Sequence, residues 1–456
     1  MTATPATTIA GMTTAAGPYE SYVYAYPHKT AYRALPERPE LRALWAGRPT
    51  HALSLYLHIP FCEVRCGFCN LFTRIGAPEG LTTAYLDALE RQADAVHEAL
   101  TGSDGAAPVR YAAAAFGGGT PTFLTATELE RLCDIAELNA GADLRAVPLS
   151  VEASPSTATA DRLAVLAGRG ATRLSLGVQS FVPEEARAAV RPQKRAEVEA
   201  ALSRIRDARI PVLNIDLIYG IDGQTEASWR YSLDAALAWS PEELYLYPLY
   251  VRPLTGLGRR ADEPAGAWDE QRLRLYRTGR DHLLAAGYEQ VSMRMFRRPG
   301  APSAASDDYA CQTDGMVGLG CGARSYTSEL HYSFDYAVDM REIRTIVDDF
   351  VARPREDFAR AEYGRWIDAD EARRRHLMQS LLQAAGMPEA EYRDRFGTGP
   401  WEDFPRELAA FASHGWLEDR AGLLRLTAEG LAHSDAVGPA LFSAEVRAAM
   451  AAYERK

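Results

Sequence analysis

The sequence predicts an α/β fold: a partial (β/α)6 TIM-like barrel with an N-terminal arm and a small C-terminal helical domain of winged-helix type. Three observations carry this expectation. Six short apolar runs between Ala52 and Tyr250 are separated by segments of helical periodicity. A cysteine cluster follows the first run and a glycine triplet the second, at the strand ends where such folds collect their chemistry. The chain has 456 residues, 47% hydrophobic and 24% charged, the composition of a globular protein large enough for more than one domain.

Residues 1–50 read as the arm, polar at first and then aromatic from Tyr19 to Pro27. Leu53 to Ile59 reads as the first strand and Leu81 to Leu100 as a helix, with Tyr85, Leu89, Ala93, Val96 and Leu100 near one face. Val109 to Phe116 is the second strand and Thr125 to Leu138 the second helix. The third pair is Val147 to Ala153 with Thr159 to Ala167, the fourth Arg173 to Gln179 with Ala196 to Ala208. Val212 to Tyr219, the helix Thr225 to Trp239 and a sixth strand, Leu244 to Tyr250, complete the rhythm. Such alternation implies parallel pairing with right-handed crossovers, and six units are too few to close an eight-stranded barrel. The barrel is expected over residues 51–300, a covering extension over 301–365 and the C-terminal domain over 366–456. Residues 253 to 365 read as irregular, with an arginine-rich spot at Arg294, Arg297 and Arg298.

Charge and cysteine usage exclude several classes. Asp and Glu number 61 against 50 Lys and Arg, a net −11, which argues against polyphosphate binding as the main task. No basic recognition helix marks the C-terminal domain, so no nucleic-acid partner is expected. No apolar run is long enough to span a membrane, and Met1 to Pro18 lacks the basic start and apolar block of a secretory signal, so the expected location is cytoplasmic. Three of the six cysteines stand within eight residues, a pattern of metal binding rather than of a disulfide framework.

That cluster reads Tyr56-Leu57-His58-Ile59-Pro60-Phe61-Cys62-Glu63-Val64-Arg65-Cys66-Gly67-Phe68-Cys69. Thiolates at C-x3-C-x2-C spacing suit an iron–sulfur cluster or zinc. Three thiolates on a four-iron cluster leave one iron open, the arrangement of a site that binds a ligand. A structural zinc ion needs a fourth ligand, for which His58 is the nearest candidate.

The segment resembles the signature of the radical S-adenosylmethionine (SAM) enzymes, and its extended form resembles the branch containing oxygen-independent coproporphyrinogen III oxidase. The resemblance implies a [4Fe–4S] cluster on Cys62, Cys66 and Cys69, whose open iron chelates SAM. One electron, from a donor such as flavodoxin or ferredoxin, then yields a 5′-deoxyadenosyl radical that abstracts hydrogen from a small-molecule substrate. Phe116-Gly117-Gly118-Gly119-Thr120-Pro121, on its own a tight turn, resembles the family's element at the methionine moiety. Glu152, Gln179, Arg191 and Asp216 each read singly as structural polar residues. In order with Tyr56, Phe68, Gly118, Gly119 and Thr120, they match family positions that bind two SAM molecules. Tyr250 and Arg324 fall at further positions of that cofactor-binding set. Gly315 to Gly322 resembles the family's Gly-x-Gly segment near the cofactor.

Three departures from the family stand out: Leu71 where a further Cys is common, Tyr250 for a small residue and Arg324 for an apolar one. Three functions follow as expectations. The first is oxidative decarboxylation of coproporphyrinogen III in porphyrin biosynthesis, with Arg294, Arg297, Arg298 and Arg324 available to its carboxylates. The second is radical methyl transfer to an aromatic or heterocyclic carbon. The third is a haem chaperone, disfavoured because Ser306 to Cys311 lacks the His and Trp of the chaperones' haem motif. Cys311 and Cys321 read as small buried cysteines, and Cys133 has no assigned role.

Overall fold

The computed structural model describes residues 17–101, 108–191, 193–252, 254–258, 265–302, 312 and 315–453. The six expected strands are present as β1 (Leu53–Ile59), β2 (Tyr111–Gly118), β3 (Leu149–Ala153), β4 (Ala171–Gln179), β5 (Val212–Tyr219) and β6 (Glu243–Pro248). They pair in parallel in chain order. Between them lie α1 (Leu81–Thr101), α2 (Ala126–Asp134), α3 (Ala160–Gly168), α4 (Arg195–Asp207) and α5 (Glu226–Leu237). Capping boxes at Thr125 and Thr225 start α2 and α5 by satisfying backbone donors that a helix N-terminus leaves open.

The strands sort their side chains by period two. Leu53, Leu55 and Leu57, Leu149 and Val151, Leu174 and Leu176, Leu213, Ile215 and Leu217, and Leu244 and Leu246 are all fully buried. They form the layer between sheet and helices, within the main core. The alternate positions carry Ser54, Tyr56, Ser150, Glu152, Arg173, Ser175, Asn214, Asp216, Tyr245 and Tyr247. A parallel sheet packed on both faces is apolar on both. The polar inner face here therefore lines an open interior.

Two features depart from the expected plan. β7 (Met295–Arg297) runs antiparallel to β6, and β8 (Met316–Leu319) runs parallel to β1. The glycine-rich segment thus supplies a seventh parallel strand, continued by β9 (Arg324–Tyr326), β10 (Leu330–Ser333) and β11 (Tyr363–Trp366) in antiparallel order. The region after β6, expected to be irregular, contains the 21-residue helix α6 (Ala265–Ala285). Its periodicity was hidden because its buried face includes Asp269 and Arg272 beside Leu275 and Tyr276.

The C-terminal unit has its own core of Leu377, Leu381, Tyr392, Leu408, Phe411, Leu424 and Leu441. A hairpin of Leu417–Arg420 and Leu423–Leu426 follows its helices. Tyr26 and Ala31 of the arm are members of this core. The Tyr26 hydroxyl donates to Glu371 and accepts from the Ser443 N–H at 3.1 Å. Among the described residues, no helix is long and apolar enough to cross a membrane.

A buried ion pair joins this unit to the barrel. Arg294 donates to Asp435 at 2.5 Å, and both side chains are almost wholly buried. The Tyr250 hydroxyl donates to the same carboxylate at 2.5 Å, and the Tyr22 ring lies 3.8 Å from the Arg294 guanidinium carbon. Removing one partner leaves the other charge buried and uncompensated. Asp435→Ala is expected to cost about 3–5 kcal/mol, read from denaturant unfolding. An unchanged midpoint would show that the pair contributes nothing to the junction.

Candidate active site at the mouth of the barrel

The cysteines leave the barrel on the loop after β1. Cys62 and Cys69 are partly exposed, and their sulfurs meet the hydroxyls of Thr120 at 3.2 Å and Thr73 at 3.8 Å. Cys66, also partly exposed, accepts from the Arg191 guanidinium at 3.2 Å. Burial pushes the Cys62 thiol up to about 12 and raises that of Cys69, and the neighbouring cysteines add to both shifts. Empty of metal, such thiols hold their protons; a metal that takes thiolates displaces them. Among the described residues, no three His, Cys, Asp or Glu side chains stand close enough to share one metal ion. The donor set is three soft sulfurs, each within reach of a hydroxyl or guanidinium group, and the chemistry of three thiolates fits a polynuclear cluster with one vacant corner.

His58 does not supply a fourth ligand. It is buried, and burial holds its pKa down to about 4, so the ring is neutral. Its Nε2 lies 3.1 Å from the Phe72 carbonyl and its Nδ1 3.3 Å from the Tyr56 hydroxyl. A neutral ring with Nε2–H donating to Phe72 and Nδ1 accepting from Tyr56 satisfies both atoms. The chain thus returns from the cysteine loop onto His58. Gly118, at φ +114°, lies so close that a Cβ there would fall 2.6 Å from the imidazole. Gly322 abuts the same ring from the opposite side of β1.

The acids of the expected site meet at the inner face. The Gly118 N–H donates to Glu152 at 3.0 Å. A Cβ at Gly117 would fall 3.0 Å from the Tyr56 hydroxyl and 3.1 Å from the Glu152 carboxylate, so the two side chains converge on that glycine. Solvent reaches Glu152 through the mouth although protein surrounds it. That enclosure raises its pKa to about 7, with the Asp216 charge adding and the Gly118 N–H opposing. Asp216 accepts from Asn214 at 2.7 Å and Ser175 at 3.1 Å, and burial raises its pKa also.

Backbone strain marks the Arg191 side. Gln179 closes β4 after a register shift and has φ +69°, and Val190 has φ +51°, a conformation that a β-branched residue rarely holds. Next to Val190, Arg191 is fixed by the Gly177 carbonyl and by Gln193 at 2.8 Å, which aims the guanidinium at Cys66. Gly119 donates its N–H to the Ile59 carbonyl at 2.8 Å, and Phe68 packs on the cluster of Ala189, Ile218, Ile221 and Leu249.

Not every expected residue joins this constellation. Tyr250 is tied to Asp435, and Arg324 donates to the Tyr24 hydroxyl at 2.7 Å. Arg294, Arg297 and Arg298, expected to be available to substrate carboxylates, are engaged by Asp435, Glu243 and Glu242. Cys133 and Cys321 are buried, while Cys311 and the Ser306 to Cys311 stretch lie outside the described residues. Arg173, Ser175, Asn214, Glu243, Tyr245 and Tyr247 were not expected at the site from the sequence. Arg173 donates to the fully buried Glu243 at 2.7 Å and to Ser150 at 3.0 Å. Polar residues at every second position of parallel strands were the signal for them.

His58→Leu keeps the volume but removes both hydrogen bonds. The orphaned Phe72 carbonyl costs about 1–3 kcal/mol, and the loop return is released. Reconstituted protein is expected to lose most of its iron while its far-ultraviolet circular dichroism stays unchanged. Full iron retention would remove His58 from this role.

The chain resembles known proteins over much of its length. Residues 56–236 match the family model of the Radical SAM superfamily, and residues 367–433 match that of the HemN C-terminal domain. The oxygen-independent coproporphyrinogen III oxidase of Paracoccus denitrificans is 35% identical over 285 residues, 62% of this chain. The match spans only 61% of that relative's length. The oxidase of the same name from Escherichia coli is 30% identical over 352 residues, 71% of this chain and 72% of that protein. The heme chaperone HemW of Bacillus subtilis is 26% identical over 387 residues, 83% of this chain and 96% of its own. The solved structure of Escherichia coli coproporphyrinogen III oxidase (HemN) shares the fold, with a TM-score of 0.74, 24% identity and coverage of 88% and 92% of the two chains. Membership of the superfamily implies a [4Fe–4S] cluster and SAM. The chain belongs to the radical SAM superfamily, within the family of the oxygen-independent coproporphyrinogen III oxidases and HemW.

Proposed function

We propose that the chain is an enzyme that binds a [4Fe–4S] cluster through Cys62, Cys66 and Cys69 and uses SAM to abstract hydrogen from a small organic substrate inside the barrel. The observation that supports this most is that Thr120, after β2, and Arg191, after β4, meet Cys62 and Cys66, while Gly118 and Glu152 meet each other beside them. When bound, the cluster supplies one electron that cleaves the sulfonium of SAM and frees a 5′-deoxyadenosyl radical. Everything else falls to the chain. Glu152 and Asp216 offer acceptors for amino and hydroxyl groups, and Arg191 braces Cys66 from behind. The stacked rings of Tyr245 and Tyr247, with centroids 5.8 Å apart, present an apolar wall on the far side of the interior.

For the substrate, oxidative decarboxylation of coproporphyrinogen III is the first reading, supported by the relatives of that name. Methyl transfer to an aromatic or heterocyclic carbon is the second, and Tyr250 supports it. Its bulk at the end of β6, anchored by Asp435, reshapes the place for a second SAM molecule. Haem binding is the third, supported by the likeness to HemW alone. Product analysis separates them: vinyl groups and carbon dioxide for the first, S-adenosylhomocysteine and a methylated product for the second, and a Soret shift on haem titration for the third.

Two measurements test the shared chemistry. Reduced, cluster-loaded protein is expected to form 5′-deoxyadenosine from SAM, and Cys66→Ala should lose iron and this activity together; retention of either would sink the cluster assignment. The raised pKa of Glu152 sets a pH dependence. Its carboxyl is protonated below about 7, and only the ionised form offers both oxygens as strong, charge-assisted acceptors to the cofactor. SAM binding is therefore expected to strengthen as pH rises, by at most about tenfold per unit, and to level off above neutrality. Glu152→Gln should flatten the profile, and an unaltered profile in that variant would assign the titration elsewhere.

A further inference from the structure

Of the 50 basic Lys and Arg residues in this chain, only Lys29, Lys194 and Lys456 are lysines. Lys29 belongs to the arm, in a short 3-10 turn, Lys29–Ala31, that the His28 side chain caps. Its ammonium lies 3.5 Å from the centroid of the Tyr336 ring, whose hydroxyl donates to the Asn70 carbonyl, next to Cys69. Arg324 stands at the start of β9. Its guanidinium donates to Tyr24, whose ring lies 5.7 Å from the His28 ring. Neither Lys29 nor Arg324 forms an ion pair with any described carboxylate, and the Arg324 Nε is buried without an acceptor.

Several other arginines of the molecule, Arg294, Arg297, Arg298, Arg173 and Arg272, each reach an acid. The Lys29 and Arg324 charges repel: burial first, and Arg324 second, hold the Lys29 ammonium well below the usual lysine pKa. After burial, the charges that act on His28 are Lys29, Arg324 and Arg252, all positive. Two cations close enough to repel, neither paired with a described carboxylate, cost free energy that an anion recovers.

We propose that Lys29 and Arg324 form a clamp for an anionic group, a carboxylate or phosphate, of a small molecule entering the barrel. The compact ammonium acts as a point charge from the arm and the planar guanidinium as a fork from the sheet. The bound anion ties the arm to β9 beside the cysteine loop. The proposal rests on reading this mouth as the substrate entrance. The anion belongs either to the substrate or to the amino-acid end of SAM, and the two sources are separable.

With three lysines, the chain suits amine labelling. Full-length, cluster-loaded protein is acylated anaerobically with an N-hydroxysuccinimide ester, and the rate at each lysine is read by mass spectrometry. The probes are inorganic pyrophosphate, citrate, SAM and decarboxylated SAM. The expected result is slower labelling of Lys29, with Lys194 as the unaffected reference. At tenfold excess over the half-protecting concentration the rate falls about tenfold. Protection by pyrophosphate and citrate assigns the clamp to the substrate's anion. Protection by SAM but not by its decarboxylated form assigns it to the cofactor's carboxylate. Arg324→Met should abolish protection, and calorimetry should find the effective anion bound by Lys29→Arg but not by Lys29→Met. Labelling of Lys29 unchanged by every probe, or slowed no more than that of Lys194, overturns the proposal. Deoxyadenosine formation is scored in the same wild-type samples, so a failed clamp and a failed radical assignment give different results.

Discussion

The neutral imidazole of His58 is the contact on which the arrangement of the site depends. One nitrogen receives the returning cysteine loop at the Phe72 carbonyl, and the other meets Tyr56. The two glycine turns, at Gly118 and Gly322, press on its faces, and the Tyr85 hydroxyl of α1 donates to its own carbonyl at 2.8 Å. A charged ring could not be buried there without a counter-ion, and a side chain beyond glycine could not approach it. His58 of β1 thus helps set the loop that carries the sulfurs against the loop that carries Gly118 to Thr120, together with the Cys62–Thr120 and Gly119–Ile59 contacts.

The barrel interior is polarised. Glu152 and Asp216 stand on β3 and β5, where the Asp216 charge adds to the cost of ionising Glu152, while Lys29 and Arg324 crowd the arm side of the mouth. Arg173 offsets part of the charge on the acids, and a ligand with hydroxyl or amino groups at one end and an anion at the other complements both pairs. In a site of low dielectric this separation orients a ligand before any close contact forms.

The rhythm of strands and helices was legible because the outer faces of β1 to β6 are uniformly apolar and their lengths are regular. The cysteine spacing and the glycine triplet located the site because soft ligands and a close backbone approach leave a local mark. What could not be read were relations over long distances in sequence. Arg294 looks like a free surface arginine until Asp435, 141 residues later, closes on it. Lys29 and Arg324 share no local pattern at all. Helix α6 was obscured by Asp269 and Arg272, which neutralise each other inside an otherwise apolar stripe.

Tyr26 and Ala31 lie in the core of the C-terminal unit, so a segment that precedes the sheet completes a structure whose other members follow it. On the ribosome, which emits the N-terminal end first, that stretch must wait without its partners while the whole sheet is synthesised. Its docking, as from Tyr26 to Glu371, closes a separation of 345 residues, and contacts of such range form slowly. The arm can consequently dock only after the loop that carries Cys62, Cys66 and Cys69 has been made.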